Sequence, residues 1–270
     1  MLFVSAEKPE RFDKAVAAGA DLVCIDLEDA VAADGKQAAR DAALAWLAAR
    51  GDRAGHGPEV ALRINPVRSL EGLHDVLALA TAATLPRWLL LPKVEAAADL
   101  HCVQAWLGAR CPALVALLET PGALEDIAAI ARSGGALRAL MLGGADLSAE
   151  LGAQFGWDGL LHARGRIVNA ARAGGLQAWD VPHVDLRDPA GLAEETRRVL
   201  ALGFDCKTAI HPGQLDTIHQ AFMPPAGQLE WATALLAEAQ PAGAFLFRGA
   251  MVDAPVLRKA RAIAARAGAA

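Results

Sequence analysis

The chain reads as an α/β protein of the (β/α)8 (TIM) barrel class with a C-terminal helical extension. Short apolar runs of strand length alternate with stretches of helical periodicity along most of its length. Acids or cations stand at the ends of nearly all those runs, where such a barrel places its active site. The 270 residues suit one barrel, and a 54% hydrophobic composition suffices for its core.

The strand-like runs, in order, are Leu2–Ser5, Leu22–Asp26, Val60–Ile64, Trp88–Leu91, Ala113–Leu118, Ala139–Leu142, Leu176–Trp179 and Phe204–Ile210. Between them, Pro9–Ala18, Lys36–Arg50, Leu70–Thr81, Ala96–Leu107, Leu124–Ala131, Leu160–Ala173, Ala190–Leu202 and Gly213–Ala221 repeat apolar residues at three and four, as amphipathic helices do. Gly and Pro punctuate the joins at Pro66, Pro86, Pro112, Gly134-Gly135, Gly174-Gly175 and Gly203, and Gly51–Pro58 reads as a loop. The expected division is a catalytic barrel over 1–222 and an extension over 223–270, begun by Met223-Pro224-Pro225. In the extension, Gln228–Ala239 and Ala254–Ala267 read as helices and Gly243–Phe247 as a short apolar run. It is either a strap on its own barrel or a lid carrying Asp253.

A net charge of −5 and a pI near 5.8, with no basic run, point away from nucleic acid. The apolar runs are too short to span a bilayer, and Met1–Val4 lacks the basic flank of a signal peptide. Cys24, Cys102, Cys111 and Cys206 form no CxxC pair, so buried or incidental thiols in a reducing cytoplasm are expected.

Glu119 follows the fifth run directly, and Asp146 follows the sixth through Gly143-Gly144-Ala145. Adjacent barrel strands bring the two carboxylates over one point, which suits Mg2+, a cation that takes oxygen ligands and keeps several waters. The alternatives are a helix cap for Asp146 and a salt bridge for Glu119. The glycines allow backbone N–H groups, those of Gly144 and Ala145 included, to approach an anionic ligand. Arg63, charged within an apolar strand, must be paired or functional. It is a candidate clamp for a carboxylate or a developing oxyanion, and Glu28 is its candidate ion-pair partner. Asp26, Glu28 and Asp29 repel one another unless cations or a metal's water shell lie nearby. Lys36 and Arg40 share a helix face, either solvated or facing phosphates. Lys207 and His211 stand where they can approach a ligand, although a structural hydrogen bond is the expectation for His211. By spacing alone Asp253 is a helix N-cap, and its apolar neighbours also suit proton transfer.

Leu27-Glu28-Asp29-Ala30-Val31 with Lys36 and Arg40, Arg63-Ile64-Asn65-Pro66, Leu91-Pro92-Lys93-Val94-Glu95, Leu118-Glu119-Thr120, Gly143-Gly144-Ala145-Asp146-Leu147-Ser148, Ala209-Ile210-His211-Pro212-Gly213-Gln214 and Gly249-Ala250-Met251-Val252-Asp253 stand in that order. Together they resemble the citrate lyase β-subunit-like family, which includes malyl-CoA, citramalyl-CoA and citryl-CoA lyases. The resemblance implies a Mg2+-dependent (or Mn2+-dependent) carbon–carbon lyase acting on acyl-CoA thioesters, in a homo-oligomer such as a trimer or a dimer of trimers. It makes Glu119 and Asp146 metal ligands, Arg63 the substrate arginine, and Asp253 an acid/base group contributed by a neighbouring subunit. Asp26, Glu28, Gly144 and Ala145 fall on its substrate side, and Lys36 and Arg40 on its CoA side. Two alternatives are an aldolase for free 2-keto acids and a citrate lyase subunit served by an acyl carrier protein. The chain departs from the family pattern at Ser5-Ala6, Pro121, Cys206 and Arg248.

Overall fold

The computed structural model describes residues 1–51, 57–239 and 243–268. Most of the loop expected over 51–58 therefore lies outside the described residues. The chain divides into two compact units, Met1–Leu215 and Asp216–Ala270.

In the first unit the described residues form one eight-stranded parallel sheet in sequence order: β1 (Leu2–Ser5), β2 (Leu22–Asp26), β3 (Glu59–Arg63), β4 (Trp88–Leu91), β5 (Ala113–Leu118), β6 (Leu137–Leu142), β7 (Gln177–Asp180) and β8 (Cys206–Lys207). The sheet closes on itself. Leu2 bridges Ala209 in parallel, the Phe3 N–H donates to the Ala209 carbonyl at 2.9 Å, and the Ala209 N–H donates to the Met1 carbonyl at 2.8 Å. Closure buries every strand and removes its edges. Small and large residues, among them Cys24, Ala61, Leu90, Val115, Ala139, Met141 and Trp179, fill the interior together, and the Trp88 and Trp179 rings pack 5.2 Å apart.

The intervening helices are α1 (Phe12–Val16), α2 (Lys36–Arg50), α3 (Leu70–Thr81), α4 (Ala97–Leu107), α5 (Pro121–Glu125), α6 (Ile127–Ala131), α7 (Gly144–Glu150), α8 (Trp157–Gly174) and α9 (Pro189–Leu202). Local chemistry sets their ends. Ser69 accepts from the Gly72 N–H at 3.0 Å, Thr120 from Ala123 and Asp188 from Gly191, each capping a helix start. Gly175 and Gly203 end α8 and α9 in the left-handed conformation.

Several details differ from the sequence expectation. The helix expected over Leu124–Ala131 breaks at Asp126 into α5 and α6. The run Phe204–Ile210 contributes only Cys206–Lys207 as regular strand, with Ala209 bridging to β1. Helix α7, directly after β6, has no sequence counterpart because two glycines open it.

The second unit comprises α10 (Leu215–Phe222, beginning at the boundary), α11 (Ala226–Ala237), an antiparallel hairpin of β9 (Phe245–Phe247) and β10 (Ala250–Val252), and α12 (Ala254–Gly268). Ala232, Leu235, Phe247, Val252, Ala260 and Ile263 form its own core. No helix of the described residues is long and apolar enough to cross a membrane.

Candidate active site at the barrel mouth

A cavity of about 860 Å3 opens at the C-terminal ends of the strands. One side is polar, formed by Asp26, Asp29, Arg63, Glu119 and Asp146. The other is apolar, with Phe155, Val181, Pro182, Val184 and Ile210. The barrel thus gathers residues up to 184 positions apart, from Asp26 to Ile210, around one space.

Arg63 ends β3 and anchors the polar side. Its Nε donates to Asp26 Oδ1 at 2.7 Å and its Nη2 to Asp26 Oδ2 at 2.5 Å, a two-pronged pair. Its Nη1 donates to Asp29 at 3.2 Å and lies 2.7 Å from Glu28 Oε2. That last contact is off the hydrogen-bonding direction, so Glu28 Oε2 is buried with charge nearby but no hydrogen bond. The ion pair expected between Arg63 and Glu28 is present, within a larger acidic cradle. Burial acts against the guanidinium, but the surrounding carboxylates outweigh it and keep Arg63 fully charged.

Glu119 follows β5 and is 4% exposed. Its Oε1 accepts from the Lys93 N–H at 2.6 Å. A Cβ at Gly143 would fall 2.4 Å from both the Cβ and Oε2 of Glu119, so only glycine lets β6 pass so close to this carboxylate. Burial, reinforced by Asp146, pushes Glu119 up to about 7 even though the Lys93 N–H opposes the shift. Burial likewise pushes Glu28 up to about 8; Arg63 opposes it, and Asp29, Glu119 and Asp26 add to it. Asp146 lies in the first turn of α7, half exposed, with Lys93 Nζ 3.2 Å from its Oδ2. Lys93 itself adopts a left-handed backbone, φ 52°, at a cost of about 1–2 kcal/mol for a non-glycine residue.

The donor chemistry fits a hard divalent cation. Among the described residues, Arg63 pairs with Asp26, Glu28 and Asp29, and Lys93 with Glu28 and Asp146. Glu28 and Glu119 are driven towards their neutral form, and Glu28 keeps an unsatisfied oxygen. Added positive charge relieves both conditions. Among the described residues no trio of His, Cys, Asp or Glu side chains is placed to hold an ion. A two-carboxylate site leaves room for the waters and substrate oxygens that Mg2+ prefers.

Other expected site residues lie elsewhere. Arg40 is 2% exposed, with its Nε on Asp75 at 2.6 Å and its Nη2 on Glu71 at 2.8 Å. Lys36 Nζ donates to the Leu27 and Glu28 carbonyls at 2.8 and 2.7 Å. The expected phosphate-facing or solvated pair is therefore corrected: Arg40 ties α2 to α3 and Lys36 pins the turn after β2. Neither lines the cavity. Lys207 is also withdrawn from the ligand. It is fully buried, donating to Asp180 at 2.7 Å, to the Val181 carbonyl at 2.6 Å, and to Glu195. His211 lines the cavity, and its Nδ1 accepts from the Gly213 N–H at 3.0 Å, the structural role expected for it. Asp253 lies in the second unit and caps α12, its Oδ1 accepting from the Val256 N–H at 3.3 Å. Arg11 and Lys14, beside β1, line the cavity although no motif singles them out. Their three-residue spacing on a short helical turn is the one signal that could have done so.

Residues 1–212 match the HpcH/HpaI aldolase/citrate lyase family. The chain belongs to that family. It is 38% identical to the citrate lyase subunit beta-like protein of Mycobacterium tuberculosis, over 99% of this chain and 94% of that protein. It is 31% identical to human mitochondrial citramalyl-CoA lyase, over 97% of this chain and 83% of that protein. The structure of M. tuberculosis CitE in complex with magnesium, acetoacetate and coenzyme A superposes with a TM-score of 0.82 at 37% identity, covering 99% of this chain and 97% of that one. As a member of this family the chain is a carbon–carbon lyase.

Proposed function

We propose that this lyase cleaves a 3-hydroxy-3-carboxyacyl-CoA of the malyl-, citramalyl- or citryl-CoA type to an acyl-CoA and a 2-keto acid, by Mg2+-dependent retro-Claisen chemistry. The observation that carries this is the convergence of Glu119, Asp146 and Arg63 on one cavity at the barrel mouth. The magnesium and coenzyme A bound to the M. tuberculosis relative support it.

Glu119 and Asp146 would hold Mg2+ (or Mn2+). The ion supplies Lewis acidity that lowers the pKa of the substrate hydroxyl. With the hydroxyl proton passed to solvent water, the oxygen's electron pair would form the new keto C=O as the adjacent carbon–carbon bond breaks, and that bond's pair would leave as a thioester enolate. Arg63, held rigid by Asp26 and Glu28, stabilises the developing negative charge. The backbone of Gly144 and Ala145 lines the cavity beside Asp146 and orients the substrate carboxylate. Arg11 and Lys14 attract the anionic CoA end. Asp253, from its own or a neighbouring subunit of a homo-oligomer, protonates the enolate carbon.

The test is thioester cleavage of malyl-CoA, citramalyl-CoA and citryl-CoA, each with Mg2+ and with EDTA. Metal-dependent release of a keto acid from one of them is expected. The relative named citrate lyase subunit beta-like favours a second reading, a subunit of a citrate lyase, for which the proposed substrate is a thioester carried on an acyl carrier protein. Silence on all three CoA esters with turnover of a carrier-bound thioester would support that reading. Turnover of free 2-keto acids alone would support an aldolase.

A further inference from the structure

We infer that Lys93 is a built-in counter-ion that occupies the carboxylate site in the metal-free protein and is exchanged for the divalent cation on binding; this rests on the metal reading above. One residue touches both proposed ligands. Its N–H is 2.6 Å from Glu119 Oε1, and its ammonium is 3.2 Å from Asp146 Oδ2 and 3.9 Å from Glu28 Oε1. Lys93 makes this double reach from a left-handed backbone, φ 52°. Glycine would adopt that backbone without strain, so a lysine there points to a task for its side chain.

An ammonium and a divalent cation on one carboxylate repel each other. Binding through Asp146 therefore requires the ammonium to leave. The Lys93 side chain is 43% exposed on a flexible stem, with Glu28 as the neighbouring acceptor, so it can withdraw without disturbing the N–H on Glu119. In the metal-free protein the ammonium offsets repulsion among Glu28, Glu119 and Asp146, and this competition sets the metal affinity.

The test measures Mg2+ binding by titration calorimetry, and Mn2+ binding by electron paramagnetic resonance, on the full chain. Lys93→Met removes the charge but keeps the backbone strain. Lys93→Gly removes both and guards against a folding failure. Both variants should bind the metal about two- to fivefold more tightly, the worth of a partly exposed ion pair. Both should also gain more Tm on saturation with Mg2+ than wild type does. Lys93→Arg should return the affinity to the wild-type range. Lys14→Met, which removes a cation on the rim, should change it less than about twofold through screening. Unchanged or weaker binding in the folded Lys93 variants overturns the inference, as does equal tightening by Lys14→Met. Wild-type protein with no divalent site sensitive to Glu119→Gln would instead remove the metal reading, and this inference with it.

Discussion

Lys207→Met separates structure from catalysis at a residue whose position in the chain suggested ligand contact. The ammonium is fully buried and serves three acceptors: Asp180 Oδ2, the Val181 carbonyl and Glu195 Oε1. Asp180 is also fully buried but keeps Arg164 Nε on its other oxygen at 2.8 Å. Glu195 is 19% exposed and keeps His183 at 3.3 Å, so its loss adds little. Two buried acceptors are left short of a donor, at about 1–3 kcal/mol each. Breaking a buried ion pair by removing one partner costs about 3–5 kcal/mol, in agreement. For a protein of this size that corresponds to a fall in Tm of roughly 10 °C. Urea denaturation followed by fluorescence, with Trp179 next to Asp180 in β7, gives the stability. Mg2+ titration of the folded variant gives the site. A Tm within about 2 °C of wild type, near the shift expected for 1 kcal/mol, would refute the structural role. So would a fall of more than tenfold in metal affinity with stability intact.

Three further outcomes are expected. Glu119→Gln should abolish turnover and metal binding together, because the amide can still accept the Lys93 N–H but no longer carries charge; calorimetric Mg2+ binding at wild-type strength would exclude Glu119 as a ligand. Asp253→Asn should leave Mg2+ affinity unchanged and lower kcat by about 10²–10⁴, the usual worth of a general acid; wild-type kcat would remove Asp253 from the mechanism. Arg40→Met should leave Asp75, 1% exposed and still bonded to the Asn65 N–H at 2.7 Å, short of a cation, costing about 3–5 kcal/mol in chemical denaturation. KM for the CoA ester should not change in that variant, and a tenfold rise would restore Arg40 to the CoA site.

The barrel was legible because each strand is a short run buried on both faces, and hydrophobic runs of strand length mark such strands. Six of the eight runs could be bounded to within a residue or so, while the last shrank to Cys206–Lys207 because the chain beyond it meets β1 by an isolated bridge at Ala209. Glu119, Asp146 and Arg63 were legible because a charged group beside an apolar run stands out against its neighbours. Lys36, Arg40 and Lys207 look the same by that criterion, and sequence could not sort them. Whether a cation meets a ligand or a partner depends on which carboxylate lies opposite. For Arg40 that is Asp75 and for Lys207 it is Asp180, each set by packing between elements. Arg11 and Lys14 stayed hidden for the converse reason: on a short exposed turn nothing but the shape of the cavity distinguishes them from solvated cations.

By itself, then, the sequence determined the order of the strands and of most helices, the family resemblance, and the candidate carboxylates that follow β5 and β6, since these follow from local periodicity and short spacings. Only the tertiary structure decided that Arg63 sits in a cradle of three acids and that Lys93 reaches both Glu119 and Asp146. The physical reason is that the strength and role of a charge depend on burial and on neighbours within a few ångströms, and barrel closure brings those neighbours from distant parts of the chain.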